Sequence, residues 1–480
     1  MQIQVQVLSQ LEMTQVHERS LNILARTGVR VDSVRGRRIL GEAGAQVDEG
    51  RSIVRFPVDL VEEALRQAPK AFTLGGRRPG FNLRMNRGEC TLLVDSEATQ
   101  VLNADSGERR PATHADWVKA THLIDALEEF GVYWKMVGEM PPRKNKVALV
   151  AYYRDLFANF TKHVQEATEN PEQTRWLLEV MQVVFGEQER IRRLRPVSFL
   201  VCPLSPLVLE GPFTDACLET LGWGIPIAVM PMPLLGMTSP GRLISTTVLG
   251  NCETLAMLVL LQAAAVGTPV IYAPAPSAIE PYSGRFTGGA VEHAILYLAS
   301  TQMGRYYGLP VEASTGGTEQ HKPGIQAAYE RAINWSLPTL AWPDILVGPG
   351  TFEGSTVFCF EQMMLDVEVF RYCRRLHQGI ASREEDFLET VIHQAGPGGN
   401  FLADRSTRDA LREGELYVSP WGQRDTYERW LEAGRPTMLD DIRWWIDDIL
   451  EHHQPSPIDE AADRELARIE AHARESEGND

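Results

Sequence analysis

A chain of 480 residues with 44% hydrophobic and 23% charged side chains has the make-up of a folded globular protein, long enough for one large domain with additions or for two to three ordinary ones. Lysine plus arginine number 47 against 64 for aspartate plus glutamate, a net charge of −17. An acidic surface of that kind argues against nucleic acid or an anionic membrane as partner. Cys90, Cys202, Cys217, Cys252, Cys359 and Cys373 are scattered without a C-x-x-C pair, so neither a zinc knuckle nor a disulfide framework is signalled, and they read as mostly buried, reduced thiols of a cytoplasmic protein. The opening MQIQVQVLSQ lacks the basic start and apolar run of a secretory signal. The most apolar stretch, Leu255 to Val266, carries Gln262 and is too short for a bilayer, so it reads as a buried helix.

In chain order, Leu8, Leu11, Leu21 and Leu24 recur among charges as on one helix face, with Gly28 placed to stop that helix before the extended VRVD. A second helix is predicted over Pro57 to Gln67. Strand material follows at Thr91 to Leu102, then a turn, NADSGERRP, and a helix start near Thr113. Residues 1–115 thus read as a mixed α/β appendage. Beyond them, apolar extended segments each end in small, Pro or polar residues and are each followed by a helix-like stretch. They begin at Gly131, Phe160, Pro196, Gly224, Gly267, Leu309 and Leu337. Seven strands at roughly 30 to 40 residue spacing predict a (β/α)₈ TIM barrel, an α/β fold, over residues 116–455 with helices at its C-terminal end. The eighth strand has no evident place. Residues 456–480 are charged and poor in core residues, and read as a lone helix or a disordered tail.

The most informative segment is LPVEASTGGTEQHKPGIQAAYE, from Leu309 to Glu330. Gly316 and Gly317 allow a ligand to approach the backbone, Thr318, Glu319, Gln320, His321 and Lys322 set polar groups beside that opening, and Pro323 suits the first turn of the next helix. An ordinary strand-to-helix turn with a solvated polar cluster is the competing account. No P-loop, G-x-S-x-G, H-E-x-x-H or EF-hand spacing occurs. Gly396, Gly398 and Gly399 lack the dinucleotide spacing. The cluster Glu451, His452, His453 reads as solvated surface, and no protein-bound metal is predicted.

Several strings then carry a resemblance: VHERSLNILARTGVRVD near the start, SGERRPAT from Ser106, CPLSPL from Cys202, GMTSPG from Gly236, NCETLAMLVLLQ from Asn251, GTPVIY from Gly267, RYYGLPVEASTGGTEQHKPGIQAAYE from Arg305, MMLDVEVFR from Met363 and GPGGNFL from Gly396. In this order they resemble the trimethylamine methyltransferase family of corrinoid-dependent methyltransferases. The resemblance implies a (β/α)₈ barrel that moves a methyl group from an amine to the cobalt(I) of a corrinoid on a separate protein docked at the barrel mouth. Founding members carry pyrrolysine in the barrel; no such residue stands here. Relatives without it imply a small quaternary amine, such as a betaine, as substrate. The chain departs from the family pattern at Gly324, Val347 and Asn400, where relatives commonly carry Asp, often His, and commonly His. Two other readings stand beside this one: a methyltransferase of the same superfamily with a different methylated nitrogen donor or acceptor, and a non-catalytic barrel that binds a methylated amine or the corrinoid protein.

A quaternary ammonium already carries a neutral amine as leaving group, so methyl transfer needs position and electrostatics and no catalytic acid or base. It cannot donate a hydrogen bond, so aromatic faces and a carboxylate should hold it. Candidates at the strand ends are Tyr133, Trp134, Tyr272, Trp342 and Phe352, with Glu312 and Glu353 for charge. Core packing is the competing account for each ring. Glu312, between Val311 and Ala313, would be a buried carboxylate, which is costly without a partner. A betaine carboxylate would be met by His321, Lys322, Thr318 and the Gly316 and Gly317 amides, although Thr318 serves equally as a helix cap. An even-numbered homo-oligomer is expected.

Overall fold

A computed structural model describes residues 5–95, 97–138 and 145–477. Eight short parallel strands stand at its centre: β1 (Thr91–Leu93), β2 (Phe130–Tyr133), β3 (His163–Glu166), β4 (Val197–Val201), β5 (Ile227–Val229), β6 (Val270–Tyr272), β7 (Glu312–Ser314) and β8 (Ile345–Val347). They pair in chain order, β8 pairs back onto β1 through Val347 and Leu93, and a parallel bridge between Tyr272 and Val311 joins β6 to β7. The sheet therefore closes into a (β/α)₈ barrel, and closure leaves no edge strand to protect.

All seven predicted strand segments contribute, and the eighth strand is the first in the chain. Thr91–Leu93 lies inside the portion assigned to the N-terminal appendage, so the barrel begins at Thr91 and the boundary at residue 115 is too late. The physical reason is local. No helix follows β1 directly; the chain first makes the antiparallel pair Gln100–Leu102 and Arg109–Pro111, and only then the helix His114–Ala126, so the β/α period is stretched there. The end of the segment that opens at Gly131 lies outside the described residues.

The floor of the barrel is plugged by a hairpin, Phe72–Gly75 with Asn82–Met85. Its Phe72, Leu74, Leu83 and Met85 pack against the inward residues Leu93, Val132, Ile271 and Ile345. That leaves the carboxyl ends of the strands as the open face. The helix Gln10–Arg26 starts with a capping box between Ser9 and Glu12 and packs on Leu243–Ala264. This second helix extends well upstream of Leu255; it is long and apolar enough to cross a membrane, yet 78% of its apolar window is buried inside the fold.

The charged tail forms the helix that was one of its two expected states, but it packs on the barrel helices and does not stand alone. Glu460–Glu477 lies along the helices Lys146–Asn159 and Pro171–Phe185. It buries Leu466, Ile469 and Ala473, and Asp463 receives both Nε and Nη2 of Arg154, at 2.6 and 2.9 Å. Three apolar residues at i, i+3 and i+7 give the helix an inner stripe that its mean composition hides.

Candidate active site

Side chains alternate along a strand, so each barrel strand sends one parity inward. Val132, Ile271, Ala273, Ile345 and Val347 share the interior with Trp134, Leu200 and Met230. Trp134 thus faces the bore, while its neighbour Tyr133 faces the helices. Tyr133 is fully buried there, accepting from the Trp117 indole at 2.9 Å and lying against Phe160. Tyr272 likewise points outward, donating to Asn251 Oδ1 at 3.0 Å. Neither tyrosine can hold a ligand at the mouth, which corrects both expectations; for each, packing between barrel and helices is the observed role.

Trp342 is also displaced from the site. It stands in the turn before β8, at the closed end, where its ring stacks on His377 at 3.7 Å and its Nε1 donates to the Gly88 carbonyl. The segment LPTLAWPDILVGPG is a helix end through Leu340 and only later a strand. Trp342 therefore precedes the strand rather than ending it.

At the open face a cavity of about 510 Å³ is built from the ends of β5, β6, β7, β8 and β1. Its walls include Met230, Met232, Phe286, Tyr297 and Phe352, with Asp95, Thr318 and Glu353 as polar groups. Gly317 lines it directly, so here the backbone does approach the open space. Gly316 serves another purpose: a Cβ there would fall 2.7 Å from the Asn334 side chain, so the residue lets the helix Ile325–Leu340 close onto the strand. Val347 is part of the wall. Phe352 is fully buried, with the Arg331 guanidinium 5.3 Å from its ring.

Across the bore, Gln165 of β3 donates from Nε2 to Glu312 Oε2 of β7 at 2.7 Å. Glu312 is only 1% exposed, and its second oxygen, Oε1, has no partner among the described residues; nor has Trp134 Nε1. Burial pushes the Glu312 carboxyl up to about 7, and the single bond from Gln165 offsets part of that. A carboxylate with one free oxygen beneath the mouth is the sharpest electrostatic feature of the bore.

The rim is held by charge pairs. Glu353 accepts from Arg109 Nη1 and Nη2 at 2.7 and 2.5 Å, and His321 Nδ1 lies 2.6 Å from its Oε1. The Arg109 bonds hold the Glu353 carboxyl below its usual range. His321 is therefore spent on the rim, and Lys322 Nζ donates to the Asp105 carbonyl at 2.7 Å. Neither stands in the cavity, contrary to expectation. Thr318 does, and it donates to Glu330 Oε2 at 2.5 Å.

Several wall residues escaped the sequence reading. Asp95 follows β1, the strand that was not placed, and accepts from Ser355 and Thr351. Met230 and Met232 sit in MPMP after β5, where thioethers carry no sequence signal of their own. His293 opens the helix Val291–Tyr306; burial pushes it down to about 4, so the ring is neutral and its Nε2 accepts from the Ala278 amide at 2.9 Å. Gln165 stands in the strand His163–Glu166, whose residues are mostly polar, so it carried no signal of its own. His453, read as solvated, lies 2.9 Å from Asp125. Among the described residues no cluster of three or more His, Cys, Asp and Glu is arranged to hold a metal.

Comparison with known proteins gives one consistent result. The model of the family described as "Trimethylamine methyltransferase (MTTB)" matches residues 2–478. The trimethylamine methyltransferase MttB of Desulfitobacterium hafniense is 27% identical over 94% of this chain and 90% of its own length. That of Methanosarcina barkeri is 27% identical over 93% and 91%. A protein named glycine betaine methyltransferase, also from Desulfitobacterium hafniense, is 24% identical over 96% and 95%. In fold, the chain is similar to a crystal structure of the hydroxylamine MtmB complex, with a TM-score of 0.50 over 92% of both chains at 12% identity.

Proposed function

The chain belongs to the trimethylamine methyltransferase family, and from that premise we propose that it moves a methyl group from a small quaternary amine of the betaine kind to the cobalt(I) of a corrinoid carried by a separate protein docked at the barrel mouth. The observation that carries this reading is the Glu312 carboxylate, fully buried in the bore with Oε1 unpartnered among the described residues, one inward position below Ser314, which lines the cavity together with Met230, Met232, Phe286 and Phe352. A permanent cation matches such a site, since thioether and aromatic faces tolerate it and one free carboxylate oxygen offsets its charge.

The corrinoid supplies the nucleophile: the methyl carbon bonds to cobalt, and the C–N electron pair stays on nitrogen, leaving a neutral tertiary amine. The residues of this chain have the remaining tasks. Glu312 fixes the cationic end, Trp134 and the methionines exclude water from it, and the Gly317 backbone lies where a substrate carboxylate can be met. Val347 stands on this wall, so the departure from the family pattern there bears on which amine fits. The relative named glycine betaine methyltransferase supports the betaine class.

The test is a panel of methylated amines incubated with the enzyme and cob(I)alamin, or with the corrinoid protein once isolated, and followed by corrinoid absorbance. Methyl transfer from a quaternary amine, with none in the absence of the corrinoid, is expected. Transfer only from tertiary or secondary amines would move the substrate to another class. Calorimetric binding of quaternary amines without any transfer would make the barrel a binding protein and overturn the proposal.

A further inference from the structure

Past the helix Phe360–Gln378 the chain makes an excursion with no interior of its own. One side chain gathers its two ends: Arg375 donates from Nη1 to the Gly379 carbonyl and from Nη2 to the Glu415 carbonyl, each at 2.8 Å. Between them, no residue from Ile380 to Leu416 is buried. The segment nonetheless forms a 3-10 turn, Glu384–Phe387, and the helices Glu389–Ala395 and Arg405–Arg412. Its large apolar side chains face outward, among them Phe387 at 63%, Ile392 at 58% and Leu402 at 89% exposure. Helices this short do not persist on propensity alone and need a face to bury. The contrast lies just beyond the neck, where Tyr417 donates to Glu368 at 2.9 Å and Trp421 is buried under Arg371.

The same chain carries an uncovered apolar receptor. Ile325, Tyr329 and Ile333 follow one another at i, i+4 and i+8 along the helix Ile325–Leu340, and Tyr372 and Leu376 at i and i+4 along Phe360–Gln378; all five are exposed. A cleft of about 340 Å³ runs between these helices, lined by Ala328, Ala332, Leu365, Val369 and Leu376. Contiguous uncovered apolar surface of this kind marks an interaction site.

We infer that the arm Ile380–Leu416 packs into the cleft of a second copy of this chain, and that copy's arm into the first. Position supports this occupant. Leu376 of the cleft adjoins Arg375 of the neck, so donor and receptor surfaces lie side by side. A two-fold axis near the neck therefore seats both arms at once, as a self-complementary interface requires. An arm of this length supplies the roughly 20 to 30 residues a side of a standard interface. The neck lies at the closed end of the barrel, marked by the stack of His377 on Trp342, while Ile325 starts its helix at the mouth end, just past the rim residues His321 and Lys322. A protein that docks at the mouth is the competing occupant, and the two-cysteine exchange below separates the two.

The test uses the full chain. Sedimentation velocity over a range of concentrations should show an assembly of two or more copies. Leu402→Asp with Ile392→Asp in the arm, and separately Ile333→Asp in the cleft, should each raise the dissociation constant at least tenfold, with far-UV circular dichroism unchanged because all three positions are exposed. Mixing chains that carry Leu402→Cys with chains that carry Ile333→Cys should give an interchain disulfide between the two. A monomer at all concentrations, an assembly indifferent to these changes, or a disulfide that forms only within a single chain carrying both cysteines would overturn the inference.

Discussion

Burial pushes the Glu312 carboxyl up to about 7, so its charge changes in the range where enzymes work, and the sign of each consequence follows. A bound cation favours the ionised form, so affinity for a quaternary ammonium ligand should be full above pH 7 and decline about tenfold per unit below it. Calorimetry with such a ligand at pH 8 and pH 6 checks this, and Glu312→Gln should bind at least tenfold more weakly at pH 8 with no remaining slope. Stability runs the other way. A folded-state pKa raised above the unfolded value favours the protonated, folded form, a contribution that is complete below the unfolded pKa and lost as pH rises to about 7. Glu312→Gln should therefore raise the melting temperature at pH 8 and leave it nearly unchanged at pH 4. Trp342, stacked on His377 at the closed end, gives the opposite outcome. Trp342→Ala should leave ligand affinity unchanged while costing about 1–2 kcal/mol of stability in a denaturant melt. The contrast shows what a residue type tells by itself: a tryptophan near a strand is legible, but whether it stands before or after that strand depends on where the preceding helix ends, here at Leu340.

At the level of elements, the mouth depends on how two helices hold one hairpin. Arg331 of Ile325–Leu340 donates to Asp366 of Phe360–Gln378 at 2.6 Å and to the Thr351 carbonyl, and Asp366 also accepts from the Gly350 amide at 2.8 Å. Both side chains are fully buried. The pair Thr351–Phe352 with Val357–Phe358, which presents Phe352 and Glu353, thus rests on a buried ion pair. Arg331→Met strands the Asp366 charge, and the expected loss is about 3–5 kcal/mol in chemical unfolding, with weakened ligand binding because Phe352 loses its support. The strands themselves were readable from their apolar runs and the turn residues that end them. What the runs did not reveal was parity, since a strand of three or four residues is too short to show alternation. The choice between Tyr133 and Trp134, or between Tyr272 and its inward neighbours, was made by the sheet.

For the whole molecule, the tail closes one side of the barrel wall. Leu466 is fully buried between the helix Glu460–Glu477 and Lys146–Asn159, and Leu466→Ala should cost about 2–5 kcal/mol by thermal or urea unfolding, whereas a dispensable tail would show no change. The arm from Ile380 to Leu416 is the opposite case: it contributes no buried residue to this copy. One end of the chain stabilises its own barrel, while the arm gains its burial only on a second surface. The barrel between them is closed at its floor by Phe72, Leu74, Leu83 and Met85, which leaves the carboxyl ends of the strands as its open face.

The amino-acid sequence by itself determined the barrel, seven of its strands, the family and the polar loop after β7, because each of these is written in local periodicity or in strings of adjacent residues. Tertiary structure decided which ring faces the bore, that β1 completes the cylinder, that His321 and Lys322 turn to the rim, and that Gln165 reaches Glu312 across the barrel. These depend on contacts between residues distant in the chain, and burial, which sets both the charge of Glu312 and the cost of leaving its Oε1 alone, exists only once those contacts have formed.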